Sequence, residues 1–136
     1  MLSWFVFHFF TLVYFHSEAT LTINVQNINR QTGQIRVALY APCDGFPSNC
    51  QPVAGQVIDP TGNSVRVTFA VKPGDYAVAL YQDLNRNGKL DTKLFGIPSE
   101  PYGFSNNFRP KLSGPNFDDC RVRIDEAGKT ISIKLI

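Results

Sequence analysis

Residues 65–80 read VRVTFAVKPGDYAVAL and contain two runs of alternating apolar residues, at 65–71 and 76–80. Because successive side chains of a strand point to opposite faces, each run predicts a strand with one apolar face. The Lys72-Pro73-Gly74-Asp75 segment between them is typical of the turns found in hairpins and at sandwich corners. This stretch therefore predicts two strands separated by a tight turn.

The same alternation returns in four further runs, at residues 21–25, 35–39, 121–124 and 130–135. No segment after residue 19 shows a helical period. A strand with one apolar face must bury that face against a second sheet. The sequence therefore predicts an all-β domain over residues 20–136, an antiparallel Greek-key β-sandwich of about seven strands.

The amino-terminal segment differs in composition from the rest of the chain. An apolar run extends from Leu2 to Phe15 and is followed by Ser17-Glu18-Ala19, a small-x-small cleavage signature. The run is shorter than the roughly 18–20 residues that cross a bilayer. Residues 1–19 therefore predict a signal peptide and a secreted or periplasmic protein without a membrane span after cleavage. Because no Lys or Arg precedes the run, a retained anchor and a buried first strand are the alternatives.

Loss of residues 1–19 changes the available chemistry. Both histidines, His8 and His16, leave with this segment. The remaining chain has 13 basic and 10 acidic residues, since only Glu18 is lost. The basic residues are scattered, which gives no reason to expect a nucleic-acid partner. Without histidine, Ser-His and Cys-His nucleophile pairs and the usual zinc sites are excluded.

Three cysteines fit an exported protein. Cys43 and Cys50 bracket the loop CDGFPSNC, and Cys120 stands alone. Three pairings are open, and the shared loop favours a Cys43–Cys50 disulfide. The alternative is that all three are reduced and Cys120 is a small core residue at the start of a strand.

Residues 83–107, DLNRNGKLDTKLFGIPSEPYGFSNN, are rich in oxygen-bearing and turn-forming side chains. Alternate oxygen ligands followed by a glycine at the sixth position are typical of a calcium loop. The predicted ligands of this structural calcium ion are Asp83, Asn85, Asn87, the Lys89 carbonyl and Asp91. An EF-hand is excluded, because Leu94 stands where a bidentate Glu belongs and no helical pattern flanks the loop.

A metal-free hairpin turn is the alternative for the same residues. Asn87-Gly88 is the preferred pair for a type I′ turn. Arg86 and Lys89 would also place positive charge beside a cation. Both interpretations stay open from the sequence.

Five motifs follow one another along the second half of the chain: Pro73-Gly74-x-Tyr76, residues 83–91, Gly96-Ile97-Pro98, residues 102–107 and Phe117-Asp118-Asp119. In this order they resemble a family of small exported bacterial proteins known as domain of unknown function 2141. The resemblance covers nearly the whole chain after residue 19 and is clearest over residues 64–124. It implies a transthyretin-like or collagen-adhesin-B-like β-sandwich and no known reaction. The Cys43 and Cys50 pair and Cys120 depart from the family pattern.

The second half of the central stretch, GIPSEPYGFSNN, is too rich in proline and glycine for a long strand. We expect it to fold over one end of the domain. Its candidate ligand contacts are the rings of Tyr102 and Phe104 and the polar groups of Ser105, Asn106 and Asn107. The alternative is that the aromatic side chains only attach an irregular loop to the core.

These observations favour a non-catalytic binding or structural module of the cell envelope or exterior, with a protein or a glycan as partner. The alternative is a small hydrolase that uses two carboxylates, for which Asp118 and Asp119 are the candidates. Neighbours on a strand point to opposite faces, which makes that pair a poor general acid and base.

Overall fold

The computed structural model describes Leu12 and residues 17–136. The predicted signal peptide, residues 1–19, lies outside this part of the chain except for Leu12 and its last three residues. Within the described residues, no helix is long and apolar enough to cross a membrane. Two 3-10 turns lie at Leu94–Gly96 and Ser105–Asn107. The other elements are β1 (Ala19–Gln26), β2 (Gln34–Tyr40), β3 (Ala54–Ile58), β4 (Val65–Val71), β5 (Gly74–Asp83), β6 (Tyr102–Phe104), α1 (Phe117–Cys120), β7 (Val122–Ile124) and β8 (Lys129–Lys134).

The three-stranded sheet has the order β4-β1-β8. β1 is antiparallel to β4 but parallel to β8. The prediction of purely antiparallel sheets is therefore wrong for this edge. Six strands separate β1 from β8 along the chain, so no short hairpin turn forces the two strands to run in opposite directions.

The five-stranded sheet has the order β3-β2-β5-β6, and β7 pairs with the first residues of β5. Two of its strands were not predicted. β3, AGQVI, contains a glycine and lacks a clear apolar alternation. β6 has only three residues, within the segment expected to be irregular. The total is thus eight strands in the described residues, against about seven predicted.

Both sheets contribute to one apolar core. Leu21, Ile23 and Val25 of β1 are fully buried, as are Ile35 and Leu39 of β2. Most of the positions predicted to face inward are buried, and Val65, Tyr76 and Ile131 are partly buried against the same core, which confirms the all-β assignment and agrees with a β-sandwich. The end of the chain belongs to this core, because Ile133 and Leu135 are also buried and belong to the same cluster.

The outer face of the five-stranded sheet carries a second, smaller apolar cluster. The loop closed by the Cys43–Cys50 disulfide places Phe46 against this face. The Phe46 ring makes edge contacts with Tyr40 at 5.1 Å and with Phe117 at 6.0 Å, measured between ring centroids. The Cys43–Cys50 pairing predicted from the sequence is confirmed, and its loop covers one end of the outer face.

Candidate functional site

The uncovered part of that outer face is a groove with a volume of about 750 Å³. Strand register places three small residues in one row across its floor, since Gly55 pairs with Ala38 and Ala38 pairs with Ala79. Phe104 of β6 pairs with Ala79 and ends the row. Three strand spacings of about 4.8 Å make this row about 14 Å long. The small side chains leave a slot between the larger residues on either side.

Larger side chains lie on both sides of the slot. On one side Arg36 pairs with Tyr81, and Tyr81 pairs with Tyr102. On the other side Tyr40 pairs with Ala77 and contacts the Phe46 ring. Burial raises the pKa of both Tyr40 and Tyr81, so their phenol groups remain protonated at neutral pH. The slot is therefore bordered mainly by aromatic rings, with Arg36 as the one charged side chain among these residues.

Two loops form the walls. Phe95 and Ile97, from the loop between β5 and β6, line the groove and are 92% and 58% exposed. Leu112, from the loop before α1, also lines the groove and is fully exposed. Phe95 has a positive φ of 63°, a conformation that non-glycine residues rarely adopt. Large apolar side chains held in solvent around a concave surface are typical of a binding site.

The first half of the β5–β6 loop is held by the buried carboxylate of Asp83. It accepts hydrogen bonds from the backbone N–H of Asn87 at 3.1 Å and of Gly88 at 2.8 Å. It also forms an ion pair with Arg36, with Nε to Oδ2 at 3.1 Å. Burial alone would raise the pKa of Asp83, but the bonds from Gly88, Arg36 and Asn87 outweigh it and hold the pKa below its ordinary value.

The predicted calcium ligands do lie together in this loop. The side-chain amides of Asn85 and Asn87 donate to the Asp91 carboxylate at 2.6 and 2.8 Å. The Lys89 backbone N–H donates to the Asn87 side chain. Within the described residues, no group of three His, Cys, Asp or Glu side chains is placed to hold a metal ion. The loop thus offers two carboxylates and two amides, and one of the carboxylates already faces a guanidinium group.

The turn predicted for the metal-free alternative, a type I′ turn at Asn87-Gly88, does not form. A type I′ turn needs positive φ at both central residues. Gly88 has a φ of 76°, but the other positive value nearby belongs to Arg86 rather than Asn87. The segment after Asp83 is not a two-residue hairpin but the start of the long connection that ends at Tyr102.

Glu100 was missed by the sequence analysis. It is 6% exposed, and its carboxylate accepts the backbone N–H of Leu84 at 2.7 Å and of Asp91 at 2.8 Å. These bonds connect the two ends of the segment that carries the predicted calcium ligands. The sequence gives no local signal for this role, because Glu100 lies nine and sixteen residues from its two partners.

A family model described as "Uncharacterized protein conserved in bacteria (DUF2141)" matches residues 23–132. The chain belongs to this family. The suspected relationship to domain of unknown function 2141 is therefore confirmed, and the match spans every element that builds the groove. No curated protein and no solved structure matches the chain.

In this DUF2141 chain, the five candidate ligand contacts divide into two groups. Tyr102 and Phe104 line the groove. Ser105 is fully buried, where its hydroxyl accepts the Val78 N–H at 2.9 Å and donates to the Cys120 carbonyl at 2.5 Å. The structure therefore corrects the prediction for Ser105, which has no surface to offer a ligand.

Asn106 and Asn107 are likewise engaged with the backbone. The Asn106 amide donates to the Arg121 carbonyl at 2.9 Å, and the Asn107 side-chain oxygen accepts the Lys134 N–H at 2.9 Å. Both residues have positive φ, at 62° and 51°, which asparagine tolerates better than most residues. These side chains attach the turn after β6 to its neighbours, and neither residue lines the groove.

The carboxylates of the hydrolase alternative lie on α1 rather than on a strand. Asp118 pairs with Arg121 at 2.5 Å, and Asp119 accepts the backbone N–H of Asn116 at 3.0 Å in a capping box. Neither residue lines the groove. Cys120 ends the same helix and is fully buried. Burial, with a smaller contribution from Asp119, raises the pKa of its thiol to about 12.

Proposed function

We propose that the protein is an exported, non-catalytic binding module whose ligand occupies the groove on the outer face of the five-stranded sheet. The observation that carries the proposal is the row of small residues Gly55, Ala38 and Ala79, which has Tyr40 on one side and Tyr81 on the other. Outward-facing strand positions are ordinarily polar. Ala38 and Ala79 pack in part against the Phe46 cluster, but both still line the groove, so that cluster does not cover them completely. A ligand that fills the slot would remove Phe95, Ile97 and Leu112 from water.

The size and lining of the groove support a small molecule. Ligand pockets in proteins measure about 300–1,000 Å³ and are mostly apolar with a few polar groups. The volume of about 750 Å³ lies within that range. The walls come from loops, whereas the floor is a sheet whose other face is buried in the main core, an arrangement that gives a binding surface a rigid base.

A slot-filling substitution tests the proposal. Ala38→Leu places a larger side chain in the middle of the slot and leaves the core face of β2 unchanged. The neutral fluorophore N-phenyl-1-naphthylamine is a suitable probe, since its emission rises in apolar surroundings. Insertion of extra methylene groups costs about 1–3 kcal/mol, so the dissociation constant of the probe should rise at least about fivefold.

Ala70→Leu is the matched control, because Ala70 occupies an exposed strand position on the three-stranded sheet. It should leave probe binding unchanged. Equal effects of the two substitutions, or no binding to the unmodified protein, would reject the groove as the site. The natural ligand is then sought by native mass spectrometry of the protein recovered from outside the cytoplasm.

Export itself is part of the proposal. The Cys43–Cys50 disulfide supports an oxidising compartment, because such bonds persist outside the cytoplasm. The apolar run before Ser17 supports a signal peptide. Intact-mass measurement on the recovered protein should show a chain that begins at Thr20. A mass that includes Met1 would contradict cleavage.

The non-catalytic assignment is supported by the engagement of Asp118 and Asp119 in an ion pair and a helix cap. Turnover on a panel of glycans or peptides that is abolished by Asp118→Asn or Asp119→Asn would favour the hydrolase instead.

We also propose that calcium stabilises the β5–β6 loop. The clustering of Asp83, Asn85, Asn87 and Asp91 supports it. The side-chain amides of Asn85 and Asn87 now present their N–H₂ groups to Asp91. To bind an ion, both amides would have to present their oxygens instead, and the ion would compete with Arg36 for the Asp83 carboxylate. We therefore expect weak binding, with a dissociation constant on the order of 10⁻⁴ to 10⁻³ M.

Thermal unfolding tests the calcium proposal. Melting temperatures in millimolar calcium and in chelator should differ by a few degrees, and Asp83→Ala should abolish the difference. Identical melting of the unmodified protein in both buffers would leave a metal-free loop.

A further inference from the structure

The charged residues around the groove are unevenly distributed. Among the described residues that line it, two are basic, Arg36 and Lys111, and none is acidic. The net charge of the whole chain is only +2, so an average stretch of its surface contains both signs. A large apolar site with cations alone at its border favours a ligand of opposite charge.

The two basic side chains differ in how far a neighbouring negative charge neutralises them. Arg36 donates from Nε to the buried Asp83 carboxylate, so its charge is paired, although its side chain remains 33% exposed. Arg36 also donates from Nη2 to Gln34, and its remaining N–H groups have no partner within the described residues. Lys111 is exposed and forms no ion pair in the described part of the chain. The groove thus has a net positive charge from Lys111 and spare donors from Arg36.

The shape of the groove restricts the apolar part of such a ligand. The slot of small residues spans two strand spacings, about 10 Å, and lies between the Tyr40 ring on one side and the Tyr81 and Tyr102 rings on the other. Aromatic side chains favour stacked or edge-on contacts with other flat rings. Two or three fused or linked rings match this length, whereas a folded aliphatic chain would leave the ring faces less well contacted.

We propose that the groove binds a planar aromatic ligand with one anionic group, whose rings occupy the slot and whose charge lies beside the unpaired cation Lys111. This inference rests on the proposed function, because it names the class of ligand for the same groove. The groove would recognise this ligand by its anionic charge and by its flat rings.

Two fluorescent probes with nearly the same ring system separate charge from apolar contact. 8-Anilinonaphthalene-1-sulfonate has one negative charge, and N-phenyl-1-naphthylamine has the same rings without it. The substitution Lys111→Gln removes the unpaired cation. We expect it to raise the dissociation constant of the sulfonate about threefold and to leave that of the neutral amine unchanged.

Lys129→Gln is the matched control, because Lys129 is an exposed lysine of β8 on the other sheet. It should alter the binding of neither probe. Raising the ionic strength from about 0.01 M to about 1 M should weaken the sulfonate alone, because salt screens exposed charges.

The outcomes separate the proposed preference for an anionic ligand from the proposed binding function of the groove. If both probes bind in the groove, as Ala38→Leu reports, but Lys111→Gln changes them equally or not at all, the anionic preference is wrong and the groove proposal stands. If neither probe binds, both proposals fall. If light scattering shows a dimer that Ala38→Leu dissociates, a second copy of the chain occupies the groove, and the inference is wrong.

Discussion

Substitution of Glu100 by Gln tests how the groove wall is held. The change keeps the size of the side chain but replaces one of its two acceptor oxygens with an N–H₂ group. The Leu84 and Asp91 N–H groups, now 2.7 and 2.8 Å from the two oxygens, then compete for a single neutral acceptor. The variant therefore loses one bond to a charged acceptor and weakens the other.

A hydrogen bond to a charged group contributes about 1.5–3 kcal/mol, and the loop can open to water and recover part of it. We expect a loss of about 2 kcal/mol in the free energy of loop opening. This corresponds to roughly 30-fold faster exchange of the Leu84 and Asp91 amide hydrogens. Binding of N-phenyl-1-naphthylamine should weaken as well, because Phe95 and Ile97 lie in the segment between Asp91 and Glu100, which the hydrogen bond between these two residues closes.

Amide hydrogen exchange followed by NMR measures the effect at each residue. Amides of β1 in the core should exchange as in the unmodified protein. Glu126→Gln is the control, since Glu126 is exposed in the turn before β8. Unchanged exchange at Leu84 and Asp91 in the Glu100→Gln variant would refute the assignment of Glu100 as the residue that closes this loop.

Three other predictions concern the covalent and titratable groups. Peptide mapping without reduction should show Cys43 linked to Cys50, and a link from Cys120 to either residue would contradict this pairing. Replacing both Cys43 and Cys50 by serine should lower the free energy of unfolding by about 2–3 kcal/mol. Iodoacetamide should not label Cys120 in the folded protein, because burial raises its pKa to about 12; rapid labelling of the native state would contradict the buried thiol. Hydrogen bonds hold the pKa of Asp83 in the folded protein below its ordinary value. The ionised carboxylate therefore stabilises the fold fully above about pH 4, the pKa of an Asp side chain in the unfolded chain. This stabilisation is lost as the pH falls through the lower pKa of the folded state. Urea unfolding at several acidic pH values should show this loss, and Asp83→Asn should reduce it.

The core strands were predictable from the sequence because each has one apolar face. Leu21, Ile23 and Val25 alternate in the chain and are all buried. β3 and β6 were not predictable in this way. Gly55 interrupts the pattern of β3, and the pairing of Tyr102 with Tyr81 depends on the position of β5 rather than on local propensity.

The groove depends on register, which no single strand encodes. Ala38 and Ala79 are each ordinary outward-facing residues, and they form a slot only because hydrogen bonding places them opposite each other. One signal was present in the sequence: β5 has alanines on the face opposite its large apolar residues, which indicates a strand with no polar face. Such a strand predicts a covering layer or a ligand on its second side.

Several polar residues of the central stretch form hydrogen bonds within the protein that the sequence pattern did not predict. Asn106 and Asn107 resemble exposed ligand contacts in the sequence, and their backbone conformation explains their presence better. Glu100 closes the β5–β6 loop by binding the backbone of Leu84 and Asp91, which lie sixteen and nine residues earlier in the chain. Local sequence patterns do not reveal contacts at such separations.

The most direct test of the groove is an NMR titration of the amide spectrum with 8-anilinonaphthalene-1-sulfonate. The account predicts that shifts concentrate at Gly55, Ala38 and Ala79 and at the loops of Phe95 and Leu112, and that Ala38→Leu removes them. Shifts concentrated instead on β4, β1 and β8, or spread evenly over the protein, would contradict a binding site on the five-stranded sheet.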